Sequence, residues 1–136
     1  MEEGPFFFLR TLDHSQALLA LQSGQPALAE KLWVQHLAQC PEDQLAAANY
    51  SRFLFSQQRF DEIYRLLSVF PRLSLNAAQS ALMGQTCLSL RLYRLAHAYI
   101  EHALTANPNA PPLLLSLSQA LIGSGRFSDA RALLQQ

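Results

Sequence analysis

A pattern returns along this chain at a period close to 34 residues. SQQRFDEI at 56–63, SLRLYRLA at 89–96 and GSGRFSDA at 123–130 align position for position. Phe60 to Tyr93 is a step of 33, Tyr93 to Phe127 a step of 34, and Ile63, Ala96 and Ala130 each follow the aromatic by three residues. A fixed period in this range is the signature of stacked helical hairpins, one per repeat, rather than of a closed globule. Solenoids of this kind commonly present surfaces to other proteins, which makes binding the first functional class to consider.

Composition supports an all-α reading. Half of the 136 residues are hydrophobic. Leu, Ala and Gln dominate, all good helix formers, while the β-branched Val and Ile that strands favour are scarce. Ten basic residues balance ten acidic ones, for a formal net charge of zero. No basic excess is available to neutralise phosphates, so nucleic acid is excluded as the expected partner. Only 15% of residues are charged, which predicts that part of the surface is covered by something else. No apolar run approaches the ~20 residues needed to span a bilayer, so no membrane insertion is expected. GPFFFL at 4–9 follows two acidic residues and is too short for a secretory signal. Cys40 and Cys87 fit neither a disulfide framework nor metal-ligand spacing. The expected compartment is therefore the cytoplasm.

The repeat frame predicts an apolar N-terminal segment, 1–9, and a domain over 10–136 with repeats at 10–43, 44–76, 77–110 and 111–136. The last repeat is the clearest. Pro111 and Pro112 suit a helix start, where the missing N–H groups have no partner anyway. Leu114, Leu117, Ala120 and Leu121 recur at helical spacing. Gly123 and Gly125 are read as left-handed residues ending that helix, and Asp129 opens the next one at the positive end of its dipole. In 77–110, Gly84 falls in mid-helix at a cost of about 1 kcal/mol against Ala, which predicts a second helix in close approach. Its partner helix runs over 93–106 with Ala96, Tyr99, Ile100, Ala103 and Leu104 inward. In 44–76 one helix carries Ala47, Tyr50, Leu54 and Phe55 and the next Ile63, Leu66 and Leu67, with an irregular exit through VFPRLSLN. In 10–43 the turn is Gln22-Ser23-Gly24, and Ala29, Leu32, Trp33 and Leu37 form the second helix's inner face.

These residues resemble the tetratricopeptide repeat family. The small residue where one first helix meets its neighbour is Ala17, Ser51, Gly84 or Ser118. The small residue of the second helix is Ala29, Ala96 or Ala130, with Ile63 departing. An aromatic opens the second helix at Phe60, Tyr93 and Phe127, with Pro26 departing. A later small residue matches at Ala103, and the closing proline at Pro41 and Pro108. The resemblance covers residues 10–136. It implies an all-α helical-hairpin solenoid, a right-handed superhelix of about four repeats, the last incomplete.

The same resemblance implies a concave groove lined by the first helices. Carried onto this chain, the lining is Leu18 and Leu21 from the first repeat and Leu45, Ala48, Arg52 and Phe55 from the second. The third adds Ala78, Ala81, Gln85 and Leu88, and the fourth Leu115, Gln119 and Ile122. Co-chaperone members of the family grip a terminal carboxylate there, but His14, Leu18, Leu82, Pro112 and Ser116 stand at comparable places and only Asn49 and Arg52 are suitably polar. A mostly apolar lining instead suits an apolar or amphipathic segment, helical or extended, of a partner protein. Among family members the chain looks like the small bacterial chaperones of type III secretion. The alternatives are a groove filled by the chain's own N-terminus or a neighbouring helix, and an assembly scaffold joined end-on through Leu133 and Leu134. The three phenylalanines of GPFFFL serve either as a cap on the open end or as a dimerisation segment in a second copy's groove.

Nothing in the sequence points to chemistry. His36 and Cys40 stand i,i+4 on one helix and could share a metal, but no third ligand is nearby. His97 and His102 do not share a face. Gly123-Ser124-Gly125 is no phosphate cradle, since no strand precedes it and no Lys follows. No nucleophile elbow or paired carboxylates appear. No catalytic, cofactor-binding or metal-binding residue is expected.

Overall fold

The computed structural model describes residues 15–135. Among these residues are eight α-helices, one 3-10 turn and no strand. In chain order they are α1 (15–22), α2 (Pro26–Gln39), α3 (Gln44–Ser56), α4 (Phe60–Leu67), α5 (Ala77–Ser89), α6 (Tyr93–Leu104), α7 (Pro111–Gly123) and α8 (Phe127–Leu134). The 3-10 turn is Arg72–Ser74, between α4 and α5. The fold is all-α and of the tetratricopeptide helical-hairpin type. The GPFFFL segment and His14 lie outside the described residues. The chain forms two compact units, one ending at Tyr50 and one beginning at Ser51.

The 34-residue period is first of all a period of turns. Gly24, Gln58, Arg91 and Gly125 have φ of 78°, 60°, 62° and 82°, and each follows a first helix. At the last of them the Gly125 N–H donates to Ile122 O at 3.0 Å and the Arg126 N–H to Leu121 O at 2.8 Å. Gln58 and Arg59 bond back to Phe55 and Leu54 in the same way, Arg91 and Leu92 to Leu88 and Cys87, and Gly24 and Gln25 to Leu21 and Ala20. This is the Schellman closure, which needs one left-handed residue and satisfies two carbonyls at the helix end. Gly123 was expected to be left-handed as well. Instead it is the last residue of α7, and what it supplies is space: a Cβ there would run into the Tyr93 ring.

In the first unit Ala17 and Ala20 of α1, Ala29 and Trp33 of α2 and Ala46, Ala47 and Tyr50 of α3 are buried. The Trp33 and Tyr50 rings stack with centroids 5.5 Å apart, and the Tyr50 hydroxyl donates to Glu30 Oε2 at 2.8 Å. The inner face of α2 differs from the expected Ala29, Leu32, Trp33 and Leu37. His36 is buried, while Leu32 and Leu37 are half-buried. The imidazole is tolerated because its Nε2–H donates to Asp43 Oδ2 at 2.7 Å, which removes the desolvation cost of an unpaired polar group. The other carboxylate oxygen of Asp43 accepts the Ala46 N–H at 3.2 Å, so one aspartate caps α3 and fixes the α2–α3 corner.

In the second unit α5 packs on α4 and α6, and α7 on α5, α6 and α8. The core runs through Leu54, Ile63, Leu67, Met83, Cys87, Ala96, Ile100, Ala103, Ala120 and Leu121. The close approach predicted at Gly84 is present: a Cβ there would meet Ile100 Cγ1 at 2.6 Å. α6 stops at Leu104, short of the expected 106. The irregular VFPRLSLN exit is closed by local bonds. Leu75 turns inward, its carbonyl accepts the His102 Nε2–H at 2.9 Å, and Asn76 and Gln79 form a reciprocal capping box at the start of α5.

Candidate protein-interaction face

α7 is apolar on more than one side. PPLLLSLSQALIG buries Ser116, Leu117, Ser118, Ala120 and Leu121. The two serines go inside at little cost because their hydroxyls donate to the Pro112 and Leu115 carbonyls at 3.0 and 2.7 Å. That leaves Leu115, Gln119 and Ile122, at i, i+4 and i+7 and therefore on one face. Leu115 is 54% exposed and Ile122 46%, and Gln119 is exposed. One repeat earlier, Ala81, Gln85 and Leu88 hold the matching positions on α5 and are half-buried, with Ala78 exposed beside them. Gln85 Nε2 donates to Ser116 Oγ. This bond ties α5 to α7 across 31 residues of sequence, and so Gln85, expected as a groove residue, also holds the two first helices together.

On α3, Arg52 is exposed and Phe55 half-buried. The Phe55 ring meets the Phe60 ring edge-on, with centroids 5.5 Å apart. In the first unit Leu18 is half-buried and Leu21 exposed. Leu45 is 61% exposed, but Ala48 is only 6% exposed. Ala48 is thus a core residue rather than a lining one, because the inner stripe of α3 includes Ala46, Ala47 and Ala48 in succession.

Two titratable groups of the core, Cys87 and Tyr99, are shifted by burial. Burial pushes the Cys87 thiol up to about 11, which leaves little of the nucleophilic thiolate. Burial, followed by the neighbouring Cys87, raises Tyr99. His36 and Cys40 are both buried, and the imidazole is held by Asp43 rather than turned to Cys40. Among the described residues no group of three or more His, Cys, Asp or Glu could hold a metal ion. No helix among them is long and apolar enough to cross a membrane.

Known proteins share this fold. Residues 89–136 match the tetratricopeptide repeat family model. Over 110 residues, 79% of this chain and 44% of the relative, the sequence is 26% identical to the type IV pilus assembly protein PilF of Pseudomonas aeruginosa strain PAO1. The chain thus spans less than half the length of that relative. A solved structure of MamA AMB-1 superimposes with a TM-score of 0.82 at 17% identity, covering 93% of this chain and 69% of the other. The structure of Pseudomonas aeruginosa PilF superimposes with a TM-score of 0.65 at 22% identity, covering 89% and 56%. At such identities the two structures speak to the fold alone. Together with the repeat match over 89–136 they show a fold of the tetratricopeptide helical-hairpin type.

Proposed function

We propose that this protein is a non-catalytic module that holds an apolar or amphipathic segment of a partner protein on the exposed face of its first helices. The observation that carries this reading is the strip Leu115–Gln119–Ile122 on α7. Two aliphatic side chains stand seven residues apart on one helix face, about 10 Å along its axis, and stay exposed. That spacing suits the i and i+7 anchors of an amphipathic helix. Arg52 offers a cation to an acidic group of the segment. The similarity to the type IV pilus assembly protein PilF supports a partner among pilus-assembly components.

The test is the double substitution Leu115→Glu, Ile122→Glu. Both positions are exposed, so far-UV circular dichroism and the melting curve stay unchanged. Each buried aliphatic contributes roughly 1.5–3 kcal/mol on transfer from water, so losing two weakens partner binding by about a hundredfold or more. A folded double variant that keeps its partner at unchanged affinity overturns the reading. Phe55 and Leu88 are poorer choices, since Phe55 packs on Phe60 and both are half-buried.

A second reading is favoured by α8, where Phe127 is 65% and Leu134 60% exposed. Here the protein is an assembly scaffold joined end-on. Phe127→Glu with Leu134→Glu then abolishes association, while the α7 substitutions leave it intact.

A further inference from the structure

A cleft of ≈ 260 Å³ opens between α6 and the turn leading into α8 and is lined by Arg94, His97, Ser124 and Arg126. Arg94 and His97 stand i,i+3 on α6 and Arg126 comes from the turn, so three nitrogen-rich side chains converge in a chain of zero net charge. Two of them have acidic neighbours among the described residues and one does not. The Arg94 side chain makes no hydrogen bond or ion pair with any described residue. Arg126 directs both Nε and Nη2 to one oxygen of Asp129, at 2.9 Å each, which leaves Nη1 unengaged among the described residues. His97 Nε2 lies 3.5 Å from Glu101 Oε2. Arg126 is also the N-cap of α8 and makes no side-chain cap bond, so the positive dipole end of that helix begins next to a residue that lines the cleft.

We propose that this cleft binds a carboxylate from an acidic residue of a partner protein. Its volume suits one side-chain-sized anion better than a drug-sized ligand, and guanidinium forks match a carboxylate in plane and spacing. A phosphate dianion fits less well. Asp129, bonded to Arg126, and Glu101, 3.5 Å from His97, repel a double charge twice as strongly as a single one. The Ser124 hydroxyl proton is already donated to Ala120 O at 2.8 Å, so the cleft has few donors left for three phosphate oxygens.

The test titrates the ¹⁵N-labelled protein with an end-capped tetraglutamate peptide, with tetraglutamine and inorganic phosphate as the other arms at matched ionic strength. It needs no native partner, so it stands or falls separately from the first-helix reading. Saturable amide shifts confined to residues 94–97 and 124–128, lost on raising the salt as a short-range ionic contact requires, support the proposal. Arg94→Ala weakens tetraglutamate binding about fivefold or more, the upper end for an exposed ion pair, and Arg65→Ala on α4 leaves it unchanged. Equal shifts around Arg65 and Arg131, an unaffected Arg94→Ala variant, binding of tetraglutamine as strong as that of tetraglutamate, or saturation by phosphate with the peptide silent would each overturn it.

Discussion

Replacing Gly84 with alanine would place a methyl carbon 2.6 Å from Ile100 Cγ1, 3.4 Å from its Cδ1 and 3.6 Å from its backbone nitrogen. The last two distances are ordinary or nearly so. The first is about 1 Å inside the 3.5–4.0 Å at which carbons attract. Ile100 cannot swing clear, because Cγ1 sits next to the backbone of a fully buried residue. Two effects then oppose each other. Removing a mid-helix glycine gains about 1 kcal/mol of helix propensity, while overpacking a tight core costs about 1–3 kcal/mol. The single variant is therefore destabilised by about 1 kcal/mol, too small a change to decide anything alone. The decisive quantity is a double-mutant cycle with Ile100→Ala. That substitution alone costs about 2–5 kcal/mol, but it removes Cγ1. In its background Gly84→Ala meets no obstruction and stabilises by about 1 kcal/mol. The effect of one methyl group thus changes sign, with a coupling of about 2 kcal/mol, readable from urea midpoints followed by circular dichroism at 222 nm. If Gly84→Ala stabilises the wild-type background as it does the Ile100→Ala background, α5 and α6 are not in this contact and the helix-packing account fails.

Further outcomes follow from single residues. Arg91 holds a φ of 62°, a strain of about 1–2 kcal/mol for a side-chain-bearing residue; Arg91→Gly recovers about 0.5–1 kcal/mol after the flexibility it adds to the unfolded chain, and an unchanged or lower urea midpoint contradicts the turn geometry. The Ser80 hydroxyl is buried with no partner among the described residues, so Ser80→Ala raises stability by about 1 kcal/mol; a loss would show that the hydroxyl is satisfied. Burial lifts the Cys87 thiol from its ordinary 9.0 to about 11. Because the folded value exceeds the unfolded one, this contribution to stability is fully present below pH 9 and is lost as pH rises through about 11. Cys87→Ala flattens that part of the alkaline unfolding profile, leaving the share of Tyr99, which is raised mainly by its own burial; an unaltered profile would place the thiol in water.

What the sequence made legible was whatever recurs. Turns, helix starts and the small residues at Ala17, Ser51, Gly84 and Ser118 repeat because every hairpin must bend and pack in the same way, and all four of these positions are buried. What it hid was particular to one place. From sequence alone His36 is a weak metal candidate and Leu32 and Leu37 are core, since hydropathy ranks leucine above histidine. The buried stripe 29, 33, 36 follows helical spacing, and the histidine is admitted by a bond to Asp43 that no periodicity reports. Gly123 looked like a turn glycine because it precedes Ser124-Gly125; the reason for it is an aromatic ring 30 residues earlier. The candidate face was partly visible. An α7 helix with leucines on every side announces a second apolar surface, but the burial of Ala48 and the bond from Gln85 to Ser116 depend on how neighbouring helices meet.

The central claim is that a partner lies on the first-helix face of α5 and α7. The most direct measurement installs a photo-crosslinking amino acid singly at Leu115, Gln119 or Ile122, and as controls at Arg65 and Arg131, in the cell the protein comes from, and identifies each crosslinked peptide by mass spectrometry. The account predicts that the three α7 positions capture one segment of one partner protein, apolar residues foremost, and that the controls capture none of it. Crosslinks to that partner from Arg65 or Arg131, with the α7 positions silent, would contradict it.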